Sequence, residues 1–114
     1  MTEMTGAAGV TGAARAADTR ALGATIDELW SIIDQRRGAS PEESYTARLL
    51  TGAEDSLLKK IGEEACEVVM AAKDDDHDHL RYEAIDLLYH LLVTCARFEL
   101  SPDELAAEIR GRFK

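Results

Sequence analysis

Lys59-Lys60-Ile61-Gly62-Glu63-Glu64-Ala65-Cys66-Glu67 and, after a gap of 15 residues, Glu83-Ala84-Ile85-Asp86-Leu87-Leu88-Tyr89-His90 are the stretches that decide the fold. Around the first, Leu58, Ile61, Ala65, Val68 and Ala72 recur at alternating three- and four-residue spacing. At about 100° per residue, that spacing makes one apolar stripe on a helix expected over 55–73. Around the second, Leu80, Ala84, Leu87, Leu91 and Cys95 form the stripe of a helix expected over 77–98. Only Asp74-Asp75-Asp76 joins them. A connection that short sets two helices antiparallel, as a hairpin.

Helix-start signals surround this hairpin. In a capping box, Ser or Thr at the N-cap and Glu three residues on each satisfy an otherwise unpaired backbone N–H. Thr25 with Glu28 opens a helix expected to reach about Arg37, with Ile26, Leu29, Trp30, Ile32 and Ile33 as its apolar residues and Gly38 as its stop. Ser40 with Glu43, and Pro41 at the first helical position, predicts a short helix to about Leu50. Ser101 with Glu104, and Pro102 between them, predicts a last helix to about Arg112. Residues 1–24 hold eight Ala, four Gly and four Thr with few large apolar side chains. Such a segment buries too little surface to offset its ordering entropy, so it reads as a flexible tail, with a short helix expected near 13–21. Residues 25–114 then form one all-α domain, without internal repeats.

Charge narrows the function. The chain carries a formal net charge of −9, and residues 54–86 alone hold 11 acids against four bases. That segment would repel a nucleic-acid backbone, which argues against a nucleic-acid partner. No apolar run approaches the length of a membrane span. The start of the chain has no apolar secretory core; Arg15 and Arg20 among small residues would suit a transit peptide, against which Glu3 and Asp18 count. Cys66 and Cys95 make no metal-type spacing and read as reduced packing residues of a cytoplasmic protein.

The acids are placed with a period. Lys60, Glu64 and Glu67 fall within a sector of roughly 60° beside the first stripe. Glu83 and Asp86, with His90, border the second. Two acids from each helix can thus face one another across the hairpin. Mg²⁺ takes oxygen ligands in octahedral geometry, and Glu-x-x-Glu with Glu-x-x-Asp supplies four carboxylates from adjacent turns. Acids at three-residue spacing are also common on solvated faces, so spacing alone leaves a metal site and a non-catalytic acidic scaffold both open. A carboxylate-bridged di-iron bundle is disfavoured, because it needs Glu-x-x-His where this chain has Glu67 and Asp86.

The ordered set resembles the all-alpha, MazG-type nucleoside triphosphate pyrophosphohydrolases. Within them it looks like the phosphoribosyl-ATP pyrophosphatase family of histidine biosynthesis. Ser44-Tyr45-Thr46, Lys59 to Glu64, Ala71-Ala72-Lys73, Glu83 to His90 and Leu100-Ser101-Pro102 carry the likeness over roughly 26–113. One departure is local: where the family often has a lysine just before the hydrophobic residues that open the first long helix, Asp55-Ser56 stands here. The resemblance implies a MazG-like bundle that hydrolyses 1-(5-phosphoribosyl)-ATP to 1-(5-phosphoribosyl)-AMP and pyrophosphate. It implies Mg²⁺ held by Glu64, Glu67, Glu83 and Asp86, charge neutralisation of the triphosphate, and a water of lowered pKa as nucleophile. Glu63 and Glu64 are then the candidate catalytic acids, Glu63 as a further ligand or as the base. Lys60 is the leading phosphate contact, with an i,i+4 pair to Glu64 as its structural alternative. Lys59 and Lys73 are weaker candidates; Tyr45, Thr46 and Arg48 line the pocket by analogy. His90 reads as a packing residue, and His77 and His79 receive no role. The alternative activity is house-cleaning of other nucleoside triphosphates by the same acids. A hairpin with three accessory helices leaves much apolar surface, which predicts a homodimer with sites drawing on both chains.

Overall fold

The computed structural model describes residues 21–114. Five α-helices run in order: α1 (Ala21–Gln35), α2 (Tyr45–Thr51), α3 (Glu54–Lys73), α4 (His77–Arg97) and α5 (Pro102–Gly111), with a single 3-10 turn at Arg36–Gly38 after α1. No strand occurs among the described residues. The all-α expectation and the bounds of the two long helices agree with this. The tail expected over 1–24 and the short helix near 13–21 lie outside the described residues, except that 21–24 are already helical.

The caps show where local signals prevailed. Ser101 accepts the Glu104 N–H at 3.2 Å, and Glu104 Oε2 accepts the Ser101 N–H at 2.8 Å, which completes the expected capping box of α5. Thr25, by contrast, lies inside α1 and opens nothing. The Ser40 signal also yields to its neighbours. The Ser40 hydroxyl donates to Glu42 Oε2 at 2.5 Å, and the Glu43 and Ser44 N–H groups both donate to the Ser40 carbonyl. That makes an isolated turn, and α2 begins four residues later than expected, with the Ser44 hydroxyl accepting the Ala47 N–H at 3.0 Å.

Both long helices end on the same device. After α3, the Asp75 and Asp76 N–H groups donate to the carbonyls of Ala72 and Ala71; after α4, those of Glu99 and Leu100 donate to Ala96 and Cys95. These paired bonds define the Schellman motif, which needs a left-handed residue at its centre. Asp75 (φ 55°) and Glu99 (φ 61°) occupy that position in place of glycine. The turn at Asp74–Asp76 folds α4 back along α3, and Asp76 then caps α4 by accepting the His79 N–H at 3.0 Å.

The core joins Ile33 of α1, Leu49 and Leu50 of α2, Leu57 of α3, and Tyr89, Leu92, Val93 and Ala96 of α4. Two arginines tie these helices by their backbones: Arg97 donates to the Leu49 carbonyl at 2.8 Å and Arg37 to the Ala96 carbonyl at 2.7 Å. The stripes differ from expectation. On α3 the fully buried residues are Leu57 and Ala71, while Leu58 is exposed. On α4 they include Glu83, Asp86, Tyr89, His90 and Val93, while Ala84 and Leu91 are exposed. Apolar periodicity assigns the wettest side chains to the outside. Here the acids themselves occupy the inner faces of the hairpin, so the apolar line is rotated outward. Cys66, expected as a packing residue, is exposed on that outer face; Cys95 is half-buried, and both thiols are free.

Candidate active site

Carboxylates from both arms of the hairpin converge. Glu64 of α3 and Glu83 and Asp86 of α4 each place an oxygen within 4.8 Å of the others. The three-residue spacing puts Glu83 and Asp86 on successive turns of one face, and the tight turn brings Glu64 opposite them. Glu83 and Asp86 are more than nine-tenths buried. Glu83 Oε2 is buried with no hydrogen-bond partner. Burial, a hydrogen bond with Glu83 and the charge of that residue push the Glu64 carboxyl above the usual carboxylate range. Burial and the charge of Glu64 do the same to Asp86. Crowded acids with an unpartnered buried oxygen are costly alone and suit a hard, oxygen-seeking cation.

Glu67, the fourth expected ligand, joins a second group with His79 and Glu83, again within 4.8 Å of one another. His79 Nε2 lies 3.4 Å from Glu83 Oε1 and 3.9 Å from Glu67 Oε2. Sequence reasoning assigned His79 no role. The signal was present: His79 precedes Glu83 by four residues and therefore shares its helix face. Glu63 belongs to neither group. It is exposed and lies 3.6 Å from Lys60 Nζ.

Beside the acids, a cleft of about 420 Å³ opens between α2 and α3, lined by Tyr45, Arg48, Gly52, Ser56, Lys59 and Lys60 among others. Three cations therefore border one hollow next to an acidic centre. Arg48 is steered there by donating to the Pro41 carbonyl at 2.8 Å and by lying 5.5 Å from the centre of the Tyr45 ring. Tyr45 is in turn fixed by the buried His90. The His90 Nδ1–H donates to the Asp86 carbonyl at 2.8 Å, so Nε2 accepts from the Tyr45 hydroxyl at 3.0 Å. His90 is thus the hydrogen-bonded packing residue expected, and it links the cleft to the backbone of an acid in the centre.

Two expected contacts lie elsewhere. Thr46 is buried, with its hydroxyl hydrogen-bonded to that of Tyr89, and does not line the cleft. Lys73 ends α3, 13 residues beyond Lys60, about 20 Å along the helix axis. His77 is exposed in the first turn of α4. Among the described residues no helix is long and apolar enough to cross a membrane.

An acidic centre beside a cationic cleft is an arrangement for a polyphosphate bridged by a cation, and comparison with known proteins points the same way. The model of the phosphoribosyl-ATP pyrophosphohydrolase family matches residues 26–113. The phosphoribosyl-ATP pyrophosphatase of Haloarcula marismortui is 46% identical over 92 residues, covering 79% of this chain and 94% of that protein. That of Trichlorobacter lovleyi is 49% identical over 88 residues, covering 77% and 82%. The histidine biosynthesis bifunctional protein of Thermus thermophilus is 44% identical over 93 residues, 82% of this chain but 44% of that longer protein. With the family model matching residues 26–113, which reach into all five helices, and relatives at 46–49% identity over more than three quarters of its length, this chain belongs to the phosphoribosyl-ATP pyrophosphohydrolase family.

Proposed function

We propose that the protein hydrolyses 1-(5-phosphoribosyl)-ATP to 1-(5-phosphoribosyl)-AMP and pyrophosphate, the second step of histidine biosynthesis, in the cytoplasm. The observation that carries this reading is the convergence of Glu64, Glu83 and Asp86 beside a cleft bordered by Arg48, Lys59 and Lys60. Glu64, Glu67, Glu83 and Asp86 are the residues to hold Mg²⁺, whose charge would offset that of the polyphosphate and acidify a water. The chain's own groups do the rest. Lys59, Lys60 and Arg48 bind phosphate oxygens, Arg48 as a planar fork and the lysines as point charges. Tyr45, locked by His90, forms a rigid wall for the nucleotide. Of the two candidate bases, Glu64 stands within the carboxylate centre, where a cation-bound water would lie, and Glu63 stands outside it. Glu63, paired with Lys60, orients that lysine instead.

A homodimer is part of the same proposal. Ala65, Cys66, Val69 and Met70 form an open apolar hollow on the outer face of α3. Tyr82, Ile85 and Leu91 are exposed on α4. Two copies pressed together there would cover surface that one chain leaves in water.

A pyrophosphate-release assay with phosphoribosyl-ATP and a panel of nucleoside triphosphates, with and without Mg²⁺, tests the activity. Metal-dependent release from phosphoribosyl-ATP at far higher kcat/KM than from any other nucleotide is expected. Release from dNTPs but not phosphoribosyl-ATP would replace this reading with house-cleaning hydrolysis.

A further inference from the structure

The acids expected as metal ligands are all oxygen donors, yet the fold sets a nitrogen donor among them. We propose that His79 supplies an imidazole nitrogen, with Glu67 and Glu83, to the divalent-cation centre, and so shifts its preference towards Mn²⁺ and Co²⁺. The inference rests on the carboxylate centre proposed above. Three observations support it. The ligand atoms of Glu67, His79 and Glu83 lie within 4.8 Å of one another. Donors around one small ion are separated by about 3 Å when adjacent and about 4 Å when opposite, so modest side-chain rotations suffice to close on it. Glu83 belongs to both trios, and it offers one oxygen, Oε1, towards His79 while its other, Oε2, is buried without a partner. The backbone of His79 is anchored as well, because its N–H is bound by the Asp76 cap at 3.0 Å. The imidazole thus springs from a fixed point in the first turn of α4.

The chemical consequence follows from ligand type. Mg²⁺ favours oxygen and keeps its waters, whereas imidazole suits the first-row transition metals and raises their affinity. A centre of carboxylates alone discriminates weakly between Mg²⁺ and Mn²⁺. Addition of His79 favours the latter without excluding the former, since the Glu64–Glu83–Asp86 trio remains all-oxygen.

Mn²⁺ binding to the full chain, followed by electron paramagnetic resonance with detection of ¹⁴N coupling, tests this directly, beside Mg²⁺ competition. Wild type is expected to show imidazole nitrogen coupling. His79→Gln, with an unchanged helical circular dichroism spectrum, is expected to lose it and to bind Mn²⁺ on the order of tenfold more weakly, with Mg²⁺ affinity changed less than twofold. Bound Mn²⁺ without nitrogen coupling, or coupling that survives in His79→Gln, overturns the role of His79 and leaves the carboxylate centre standing. Failure of wild type to bind Mn²⁺ or Mg²⁺ at millimolar concentration overturns the carboxylate centre itself.

Discussion

Asp86 serves two partners at once. Its carbonyl takes the His90 proton while its carboxylate faces Glu64, so removing the charge need not disturb the backbone link. The raised Asp86 carboxyl means that the folded chain holds this proton more tightly than the unfolded one. Ionisation of the group therefore weakens the cation-free fold as pH rises from the ordinary carboxylate range through the raised value, and costs nothing below that range. Asp86→Asn should accordingly gain stability over wild type at pH 7 in chelator, with the gain vanishing near pH 4, as read by urea midpoints. The same variant should lose at least a hundredfold in kcat/KM with Mg²⁺ present. A second comparison separates the bases. Glu64→Gln should lower kcat by about 10²-fold or more, and Glu63→Gln by less than tenfold, in single-turnover pyrophosphate release. At this scale the grouping of Glu64, Glu83 and Asp86 was legible, because three-residue spacing along a helix is local. Thr46 and Lys73 stand away from the cleft, because their distances to it depend on how α2 and α3 meet, which no local pattern encodes.

Elements terminate here by backbone geometry that their residue types do not favour. Asp75 and Glu99 sit in the left-handed region where a side chain is strained, so Asp75→Gly or Glu99→Gly should stabilise the fold by roughly 0.5–1 kcal/mol in thermal or urea unfolding. The caps give an opposed pair. Ser101→Ala removes a real capping bond and should cost about 1 kcal/mol, whereas Thr25→Ala, inside α1, should change stability by less than about 0.5 kcal/mol. Only the first of these two was readable in advance. A capping box is a local signal, and a helix that continues upstream silences it. The lengths of α3 and α4 were legible because helical period and a three-residue turn suffice to set them. The spacing of the acids allowed them to face one another across the hairpin, but the apolar stripes were misjudged, because hydropathy alone places Leu58, Ala84 and Leu91 inward while Glu83 and Asp86 take the buried positions.

Among the described residues, the core lies on one side of the hairpin and an exposed apolar face, with Val69, Met70, Tyr82 and Leu91, on the other. If a second copy covers that face, light scattering at micromolar concentration should give twice the chain mass, and Val69→Glu with Met70→Lys should return it to one chain. Wild type at the mass of a single chain would remove the dimer from the proposal. Between core and hairpin the cleft has its own constraint, at Gly52. The N–H of this residue donates to the Arg48 carbonyl at 2.7 Å, and a Cβ there would meet the same oxygen at 2.7 Å. Arg48 projects from that turn into the cleft, so the smallest possible side chain at position 52 would push on the base of the arm proposed to bind phosphate. Gly52→Ala should therefore behave as a grip defect, with KM for phosphoribosyl-ATP rising severalfold while kcat stays within about twofold. The hold on the substrate would depend on one hydrogen atom that never touches it.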